Sequence, residues 1–404
     1  MFGALRIRNY RVWAGGALVS NVGTWMQRVA QDWLVLTVLT HRNASAMGVV
    51  MALQFGPQLL LLPWSGYAAD RFDRRRLLIA TQAALGLLAL GLGLVTVLGV
   101  VTLWQVYGFA FLLGCVSAFD APVRQVFVNE LVGEAYLANA VSLNSTSFNA
   151  ARMIGPAVAG LLIAAVGCGW VFLINAASFA GVLASLMLLR VDQLHGSGRG
   201  AARTGGIAEG FRYVWQRPDL MAVLVMLFLI GTFGLNFPIF ISTMALTAFH
   251  GGAGQYGLLT SAFAVGSVGG GLYSAYRSQP SMVVLGMSAA VFGVGCALAA
   301  LAPHEVWFAA ALVLTGLAAL AFLTGTNSLM QLTTEPAMRG RVMALRIAVV
   351  MGGTPIGAPI VGWIADHFGP RWALSVGAAA GLAAMLVALR YMAGLRQQPA
   401  DVQA

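Results

Sequence analysis

Residues 66–76 read GYAADRFDRRR, a short and strongly basic stretch between two long apolar segments. Arg71, Arg74, Arg75 and Arg76 all lie in it. Arginine crosses a lipid bilayer with difficulty, so basic loops between apolar spans stay on the cytoplasmic side. The stretch therefore predicts a cytoplasmic loop in a membrane protein, and it sets the orientation of the spans on either side.

The overall composition is also that of a membrane protein. Of the 404 residues, 59% are hydrophobic and 9% are charged, whereas about 25% are charged in a soluble domain. The basic residues are all arginine, and the formal net charge is +10. Because these arginines lie between apolar spans, their excess indicates topology and contact with anionic lipid headgroups, and not a nucleic acid partner.

The apolar segments are long enough for many membrane crossings. A helix needs about 20 mostly apolar residues to cross a bilayer. We predict an all-α membrane protein with twelve transmembrane helices, in the bacterial cytoplasmic (inner) membrane. The arginine pattern places both termini on the cytoplasmic side. The predicted spans are residues 12–39, 46–66, 77–99, 103–126, 138–166, 169–190, 219–247, 254–276, 282–302, 305–331, 342–365 and 372–393.

The chain repeats itself across a polar stretch. Residues 154–160 read IGPAVAG and residues 356–362 read IGAPIVG. Six predicted spans separate the copies, so the two copies run in the same direction. The polar residues 193–216 form a predicted cytoplasmic linker between an N-terminal six-helix half, 1–192, and a C-terminal six-helix half, 217–404. Parallel six-helix repeats occur in transporters that bind substrate between their halves.

Two features together resemble the major facilitator superfamily. The first is residues 66–76, which are similar to the loop signature of that family. Asp73 stands where the family usually has glycine, and the matching residues are Gly66, Asp70, Arg71, Arg74, Arg75 and Arg76. The second is the duplication. The resemblance covers essentially the whole chain and implies the major facilitator fold, a small-molecule substrate and function as a monomer. Residues 23–36 and 120–125 further resemble the branch that includes enterobactin and macrolide exporters.

The resemblance implies a cytoplasmic latch. In the family, the loop residues engage an acid near the cytoplasmic end of the fourth span and the start of the eleventh span. An ion pair that joins two halves can differ between two states and so bias them. The alternative is that these charges only set topology. The matching residues are Gly66, Asp70, Arg71, Arg74, Asp120, Arg124 and Arg341.

The fifth span carries a second motif. Residues 151–160 read ARMIGPAVAG and resemble the signature of the family's antiporters, with Gly155, Pro156 and Gly160 matching. Proline removes a helical hydrogen bond, and small residues permit close approach of helices. The resemblance implies export; the alternative is ordinary packing of small residues.

Apart from the latch residues and the charges near span ends, three charges lie within predicted spans. Arg28 and Asp32 are one turn apart in the first span, and Arg152 is near the middle of the fifth. A charge at membrane depth costs about 2.5–3.5 kcal/mol on insertion scales, so it usually faces a partner or water and marks a transport pathway. Burial favours the protonated carboxyl, whereas a nearby arginine favours the carboxylate. Asp32 is therefore either a proton carrier or a fixed partner of Arg28 or Arg152.

Several asparagines on predicted spans could line a substrate cavity or bond a neighbouring helix. These are Asn21, Asn144, Asn149, Asn236 and Asn327. The cysteines and histidines show no metal-binding spacing, and a Walker-type phosphate loop needs a lysine, which the chain lacks. We therefore expect no metal, no cofactor, no nucleic acid partner and no enzymatic activity.

These observations favour a secondary active transporter. We predict proton-coupled export, or antiport, of a small amphipathic molecule such as a drug or secondary metabolite by alternating access. One alternative is a dedicated siderophore exporter. Another, from a different class, is a non-transporting membrane sensor or partner protein.

Overall fold

The computed structural model describes residues 3–195, 207–276 and 280–397, apart from the side chains of 69–70, 207–208 and 395–397. These residues are helical almost throughout and contain no strand, which confirms the predicted all-α class. The chain divides into two compact units. The first is Met1–Ala202 with His250–Ser261, and the second is Arg203–Phe249 with Ala262–Ala404.

The first unit is built from six helices and the beginning of a later one. Tyr10 and Phe127 are fully buried in its core, where the Tyr10 hydroxyl donates to the Ala140 carbonyl at 2.9 Å. Its helices are α1 (Arg8–Leu34), α2 (Ala44–Leu60), α3 (Leu62–Arg71), α4 (Arg74–Val97), α5 (Leu103–Val166) and α6 (Cys168–Met187).

Helix α5 is interrupted at one residue. Gly133 has a φ of +67° and a ψ of 178°, a conformation that glycine adopts far more readily than other residues. The backbone N–H of His195 donates to the Glu130 carbonyl at 2.8 Å, and the His195 imidazole lies beside Gly133. The predicted spans 103–126 and 138–166 are therefore joined by a single non-helical residue and not by a loop.

The second unit contains the remaining helices. Between α8 and α9 lies the π-helical turn Ile230–Gly234, and α9 continues into a second one, Met244–Ala248. Residues 253–261 of α10 belong to the first unit and the rest to the second. The helices are α7 (Ile207–Trp215), α8 (Pro218–Leu229), α9 (Phe237–Thr243), α10 (Ala253–Tyr276), α11 (Met282–Ala300), α12 (Glu305–Thr333), α13 (Arg339–Phe368) and α14 (Pro370–Gln397).

The predicted seventh span, 219–247, is a discontinuous helix. Leu235 and Asn236 leave the helical region, with ψ angles of 29° and 39°. Phe237 begins α9 and stacks on Phe263 with ring centroids 3.9 Å apart. Pro238 is the second residue of α9 and has no N–H to donate to the preceding turn.

The linker contains more structure than its sequence predicts. Its residues 196–206 lie outside the described residues, but Ile207–Trp215 form helix α7. Val214 is fully buried, and the buried Gly210 lies against the backbone of Arg341 in α13. Because one face of α7 is apolar or small, it packs on α13 instead of extending as a flexible tether.

Nine helices in the described part of the chain are long and apolar enough to cross a membrane, or ten if the bent pair α2–α3 is one span. Helix α5 is counted as one of the nine although it is 64 residues long. Helix α1 is not among them, because its charged and amide side chains make it less apolar than the others. The total of twelve transmembrane helices stays a prediction.

Candidate functional site

Helix α1 places three side chains of the candidate site on one face. Trp25, Arg28 and Asp32 are spaced three and four residues apart, which aligns them along one side of an α-helix. Arg152 of α5 and Tyr256 of α10 meet this face. We call these five residues the Trp25 cluster; all of them belong to the first unit.

The carboxylate of the cluster is held by a tyrosine. The Tyr256 hydroxyl donates to Asp32 Oδ2 at 2.9 Å. Tyr256 is buried, and its ring stacks on Trp33 with centroids 6.1 Å apart and planes 20° apart. Asp32 is half-buried, and the positive charge of Arg28 acts on its carboxylate. The two side chains do not form one of the ion pairs found among the described residues. The direct partner of Asp32 is therefore a neutral hydroxyl.

Two arginines share the Trp25 ring. The guanidinium carbon of Arg28 lies 4.8 Å from the ring centroid, and that of Arg152 lies 5.5 Å from it. Both distances are within the range of cation–π attraction. Phe148 meets the same ring edge-on, with centroids 5.7 Å apart. The structure thus brings together the three intramembrane charges predicted from the sequence, around an aromatic side chain.

Amides lie on the buried side of α1. Gln27 Oε1 accepts a hydrogen bond from Asn175 Nδ2 of α6 at 2.5 Å. Gln31 is also buried, and its Nε2 has no hydrogen-bond partner among the described atoms. The Gln27–Asn175 hydrogen bond fixes α1 against α6, whereas Gln31 contributes a buried donor with no partner among the described atoms.

Asp120, a predicted latch residue, is buried in a hydrogen-bond network of the first unit. Its Oδ1 accepts from Thr81 Oγ1 at 2.7 Å and from Gln82 Nε2 at 2.6 Å. Its Oδ2 accepts from Arg124 at 2.7 Å, and Arg124 also donates to Asn21 Oδ1 at 3.2 Å. Asp120 therefore pairs with Arg124 and with the polar side chains of α4, and the network includes the predicted cavity residue Asn21.

Arg74, another predicted latch residue, pairs elsewhere. Its Nη1 lies 2.5 Å from Glu130 Oε1, in an ion pair of low exposure. The hydrogen bonds of Asp120 do not include Arg74. Asp73, which replaces the usual glycine, accepts from the Arg76 N–H at 2.8 Å and so caps α4. Glu130 was not predicted, because it lies beyond the apolar run assigned to the fourth span.

The other latch residues are exposed, lie in the second unit or are not described. Gly66 is exposed, and Arg71 lies over the Tyr67 ring at 5.8 Å. The side chain of Asp70 lies outside the described residues. In the second unit, Arg341 Nη1 donates to Glu209 Oε1 of α7 at 3.1 Å. A latch that joins the two halves stays a prediction.

The antiporter-like motif of α5 allows close helix packing on two sides. A Cβ at Gly155 would lie 2.7 Å from the Trp25 Cβ of α1, and one at Gly160 would lie 2.6 Å from the Ala253 carbonyl oxygen of α10. Pro156 is buried between them. The motif thus brings α1 and α10 against α5, which is the packing that assembles the Trp25 cluster.

The remaining predicted cavity residues are dispersed. Asn149 Nδ2 donates to the Ser145 carbonyl of its own helix at 2.9 Å. Asn236 is fully buried at the break before α9, where its Nδ2 donates to the Thr232 carbonyl at 2.7 Å. Asn144 and Asn327 are half-buried in α5 and α12.

Tyr256 is a residue of the candidate site that the sequence did not predict. It lies 224 positions from Asp32 and belongs to a stretch without Arg, Asp or Glu. A buried tyrosine usually directs its hydroxyl to a polar partner, but the sequence does not show which one.

Comparisons with known proteins agree with this fold. The staphyloferrin A transporter of Staphylococcus aureus is 27% identical over 356 residues, which cover 86% of this chain and 87% of that protein. The multidrug efflux pump Tap of Mycolicibacterium fortuitum is 27% identical over 374 residues, covering 87% and 88%. Macrolide efflux protein A of Streptococcus pyogenes is 23% identical over 378 residues, covering 90% and 91%.

Solved transporters share the fold. The nucleoside transporter NupG superposes with a TM-score of 0.76 at 12% identity, covering 95% of this chain and 98% of that one. A bacterial homologue of the iron transporter ferroportin, in an inward-facing state, gives a TM-score of 0.73 at 17% identity, covering 95% and 98%. At these identities the likeness shows the fold alone.

A family model described as transmembrane secretion effector matches residues 1–403. The relatives named above are transporters and not enzymes. The predicted major facilitator resemblance is therefore confirmed, and the chain is a multi-pass membrane transporter that belongs to the transmembrane secretion effector family of the major facilitator superfamily.

Proposed function

We propose that this transporter exports a small amphipathic molecule across the bacterial cytoplasmic membrane in exchange for protons, with Asp32 as the proton site. Of the three similar proteins, one is named as a multidrug efflux pump, one as a macrolide efflux protein and one as the transporter of a siderophore. The predicted transmembrane sensor has no support in this family, whose relatives are transporters.

The Asp32–Tyr256 hydrogen bond carries the proposal. A carboxylate can take up or release a proton within a span, whereas the arginines of the cluster remain charged. Tyr256 donates to the carboxylate at 2.9 Å and so supports its charged form. Protonation would remove the negative charge and weaken that bond. The proton on Asp32 thereby alters a contact between α1 and α10, which belong to predicted opposite halves of the chain.

The groups that act on Asp32 come from three helices. Arg28 lies on the same helix and acts on it through its charge, and Tyr256 lies on α10. Arg152 of α5 reaches the same Trp25 ring as Arg28. Substrate that enters beside this ring would change the electrostatic field at the Asp32 carboxylate. Substrate binding could thereby be coupled to proton binding at Asp32.

The wider mechanism is alternating access between two six-helix halves, 1–192 and 217–404, each moving as a body within one polypeptide. We propose that the chain works as a monomer with both termini in the cytoplasm. The predicted latch around Gly66 to Arg76 would favour the state closed to the cytoplasm.

Flux in proteoliposomes with an imposed pH gradient tests proton coupling. Dyes, macrolides and catecholate siderophores serve as candidate substrates. We expect gradient-driven movement of at least one, and we expect Asp32→Asn to abolish the gradient's effect while the protein remains folded. Asp192→Asn is the matched control, because Asp192 is an exposed acid of the same unit. Movement that ignores the gradient in the wild-type protein would contradict proton coupling.

A siderophore is the second candidate substrate class, favoured by the similarity to the staphyloferrin A transporter. The same flux assay separates it from a multidrug exporter. Movement of siderophores but not of dyes or macrolides would favour the dedicated exporter, whereas movement of dyes and macrolides would favour the multidrug exporter.

A further inference from the structure

We infer that the Trp25 cluster binds the carboxylate of an organic anion through Arg28 and Arg152. The inference rests on the proposed export function, because it names the chemical class of the substrate at the same site. The observations that carry it are the charges of the cluster, the reach of its two guanidiniums and its aromatic wall.

The charge of the cluster is positive. It contains two guanidiniums and one carboxylate, and arginine stays protonated in proteins. The cluster is therefore positive whether Asp32 is charged or neutral. Other acids described in the first unit are engaged elsewhere or exposed: Asp73 caps α4, Asp120 pairs with Arg124, Glu130 pairs with Arg74, and Glu134 and Asp192 are exposed.

The two guanidiniums are close enough to act on one ligand. Their distances to the Trp25 centroid are 4.8 Å and 5.5 Å, so the two carbons are at most about 10 Å apart. That separation is close to the screening length of about 8 Å in physiological salt, and partly buried charges are screened less than exposed ones. Both side chains are half-buried and retain some access. A guanidinium is a planar fork of N–H donors that matches the geometry of a carboxylate.

The walls of the site are aromatic. Trp25 and Phe148 meet edge to face, and Phe148 remains 46% exposed. An apolar or aromatic body attached to the carboxylate would find a surface of matching chemistry here. The ligand class is therefore an amphipathic carboxylate.

A cationic ligand fits the same geometry poorly. It would approach two fixed positive charges, and the single carboxylate is already hydrogen-bonded to Tyr256. Like charges in a partly desolvated site act against such a ligand and so provide specificity. A neutral ligand would gain the aromatic contact but would leave the guanidiniums without an added partner.

Binding of three matched probes tests the inference. We would use 1-pyrenebutyric acid, its amide and 1-pyrenebutylamine, which share an aromatic body and differ in charge. Equilibrium binding to the purified full-length protein is measured by energy transfer from tryptophan to pyrene. We expect the acid to bind about tenfold or more tightly than the amide, and the amine to bind weakest.

Variants locate the effect at the cluster. Arg28→Gln and Arg152→Gln should each bring the ratio of acid to amide affinity close to one. Arg28→Lys and Arg152→Lys keep the charge but lose the fork, so they should retain part of the preference. Arg11→Gln is the matched control, since Arg11 is an exposed arginine of the same helix α1. Size-exclusion profiles confirm folding, and the wild-type ratios decide the matter if a variant fails to fold.

Several results would overturn the inference: no binding of the acid, equal or tighter binding of the amide or amine, or a preference that survives in both glutamine variants. Flux of the same probes under a pH gradient separates this outcome from failure of the proposed function. Selective binding of the acid without gradient-driven flux would leave the anion site and remove proton coupling. Gradient-driven movement of the amine beyond that in protein-free liposomes would support export and remove the anion site.

Discussion

Two corresponding segments of the molecule have similar packing but different chemistry. A Gly-Thr-aromatic tripeptide occurs at residues 23–25 in the first unit and at 231–233 in the second. Aligning the two tripeptides places Arg28 opposite Asn236. The first tripeptide lies in the continuous helix α1, whereas the second lies in a π-helical turn just before a break.

Glycines of the duplicated motif contact both segments. Gly155 of α5 approaches the Val22 carbonyl and Trp25 in α1. Gly357 of α13, its partner in the repeat, approaches the backbone of Thr232 so closely that a Cβ would collide with the carbonyl. Each unit thus packs a small residue of one helix against the backbone of the helix that carries the tripeptide.

The chemistry next to this shared packing differs. The first unit adds Arg28, Asp32 and Arg152, while the second places uncharged residues at the matching positions and surrounds Phe237 with Phe240, Phe263 and Phe292. A duplicated scaffold can therefore keep its close helix contacts in both copies while the ionisable groups stay in one. The four predictions below test that division.

Removing a buried charge from the first unit should have the largest effect. Asp120→Asn replaces a carboxylate that accepts three hydrogen bonds, one of them from Arg124. We expect the free energy of unfolding to fall by about 3–5 kcal/mol, as it does when one partner of a buried ion pair is removed. Thermal or denaturant unfolding in detergent measures it.

The control in the second unit is Asp219→Asn. Asp219 pairs with Arg217, whose side chain is 36% exposed, and an ion pair of this kind contributes about 0–1 kcal/mol. Equal losses in the two variants would show that buried charge is not concentrated in the first unit.

Filling the shared glycine contacts should have the next largest effect. Gly357→Ala forces a Cβ into the backbone of Thr232 and should cost about 1–3 kcal/mol, as overpacking does. Gly155→Ala should cost less, because its contacts are longer. Gly340→Ala in the same helix as Gly357 has open space around it and should be neutral. Unfolding midpoints that are equal for all three variants would sink the packing comparison.

Tyr256→Phe tests the polar contact of Asp32 without removing the ring that stacks on Trp33. A hydrogen bond to a charged group is worth about 1.5–3 kcal/mol, so we expect gradient-driven flux to fall about tenfold or more. Tyr107→Phe is the control, because Tyr107 is a half-buried tyrosine of α5 away from this contact. Unchanged flux in Tyr256→Phe would show that the hydroxyl plays no part in coupling.

The smallest expected effect is on stability, when either threonine of the repeated tripeptide is replaced by valine. Thr232 Oγ1 is buried with no hydrogen-bond partner among the described atoms, whereas Thr24 Oγ1 donates to the Ser20 carbonyl at 2.8 Å. Thr232→Val should leave stability unchanged or raise it slightly, while Thr24→Val should lower it by about 0.5–1 kcal/mol. Calorimetry that gave the opposite order would indicate a ligand or ordered water on Thr232.

The sequence predicted the class of fold because that class depends on composition and order. Long apolar segments, the arginine pattern and the repeated glycine motif are all visible along the chain. The number of spans is harder to predict from the sequence for two physical reasons. Helix α1 is polar for a membrane helix, and the chain turns within α5 at one glycine instead of in a separate loop.

The partners of each charge could not be read in the same way. In a soluble helix the apolar stripe reveals which face is buried, but here most positions on every helix are apolar. The sequence therefore did not show that Thr81 and Gln82 face Asp120, that Glu130 faces Arg74, or that Tyr256 faces Asp32. The Trp25 cluster could be anticipated only as three charges in two spans.

The single non-helical residue in α5 gives the fifth span a fixed angular phase. A residue inserted into an ordinary loop is absorbed by that loop, but one inserted next to Gly133 would rotate the following helix by about 100°. Arg152 and Gly155 would then turn away from α1, and Gly160 from the start of α10. The position of Arg152 relative to Arg28 and Asp32 therefore depends on the exact length of chain between residues 133 and 152, because no loop there could absorb an insertion or a deletion.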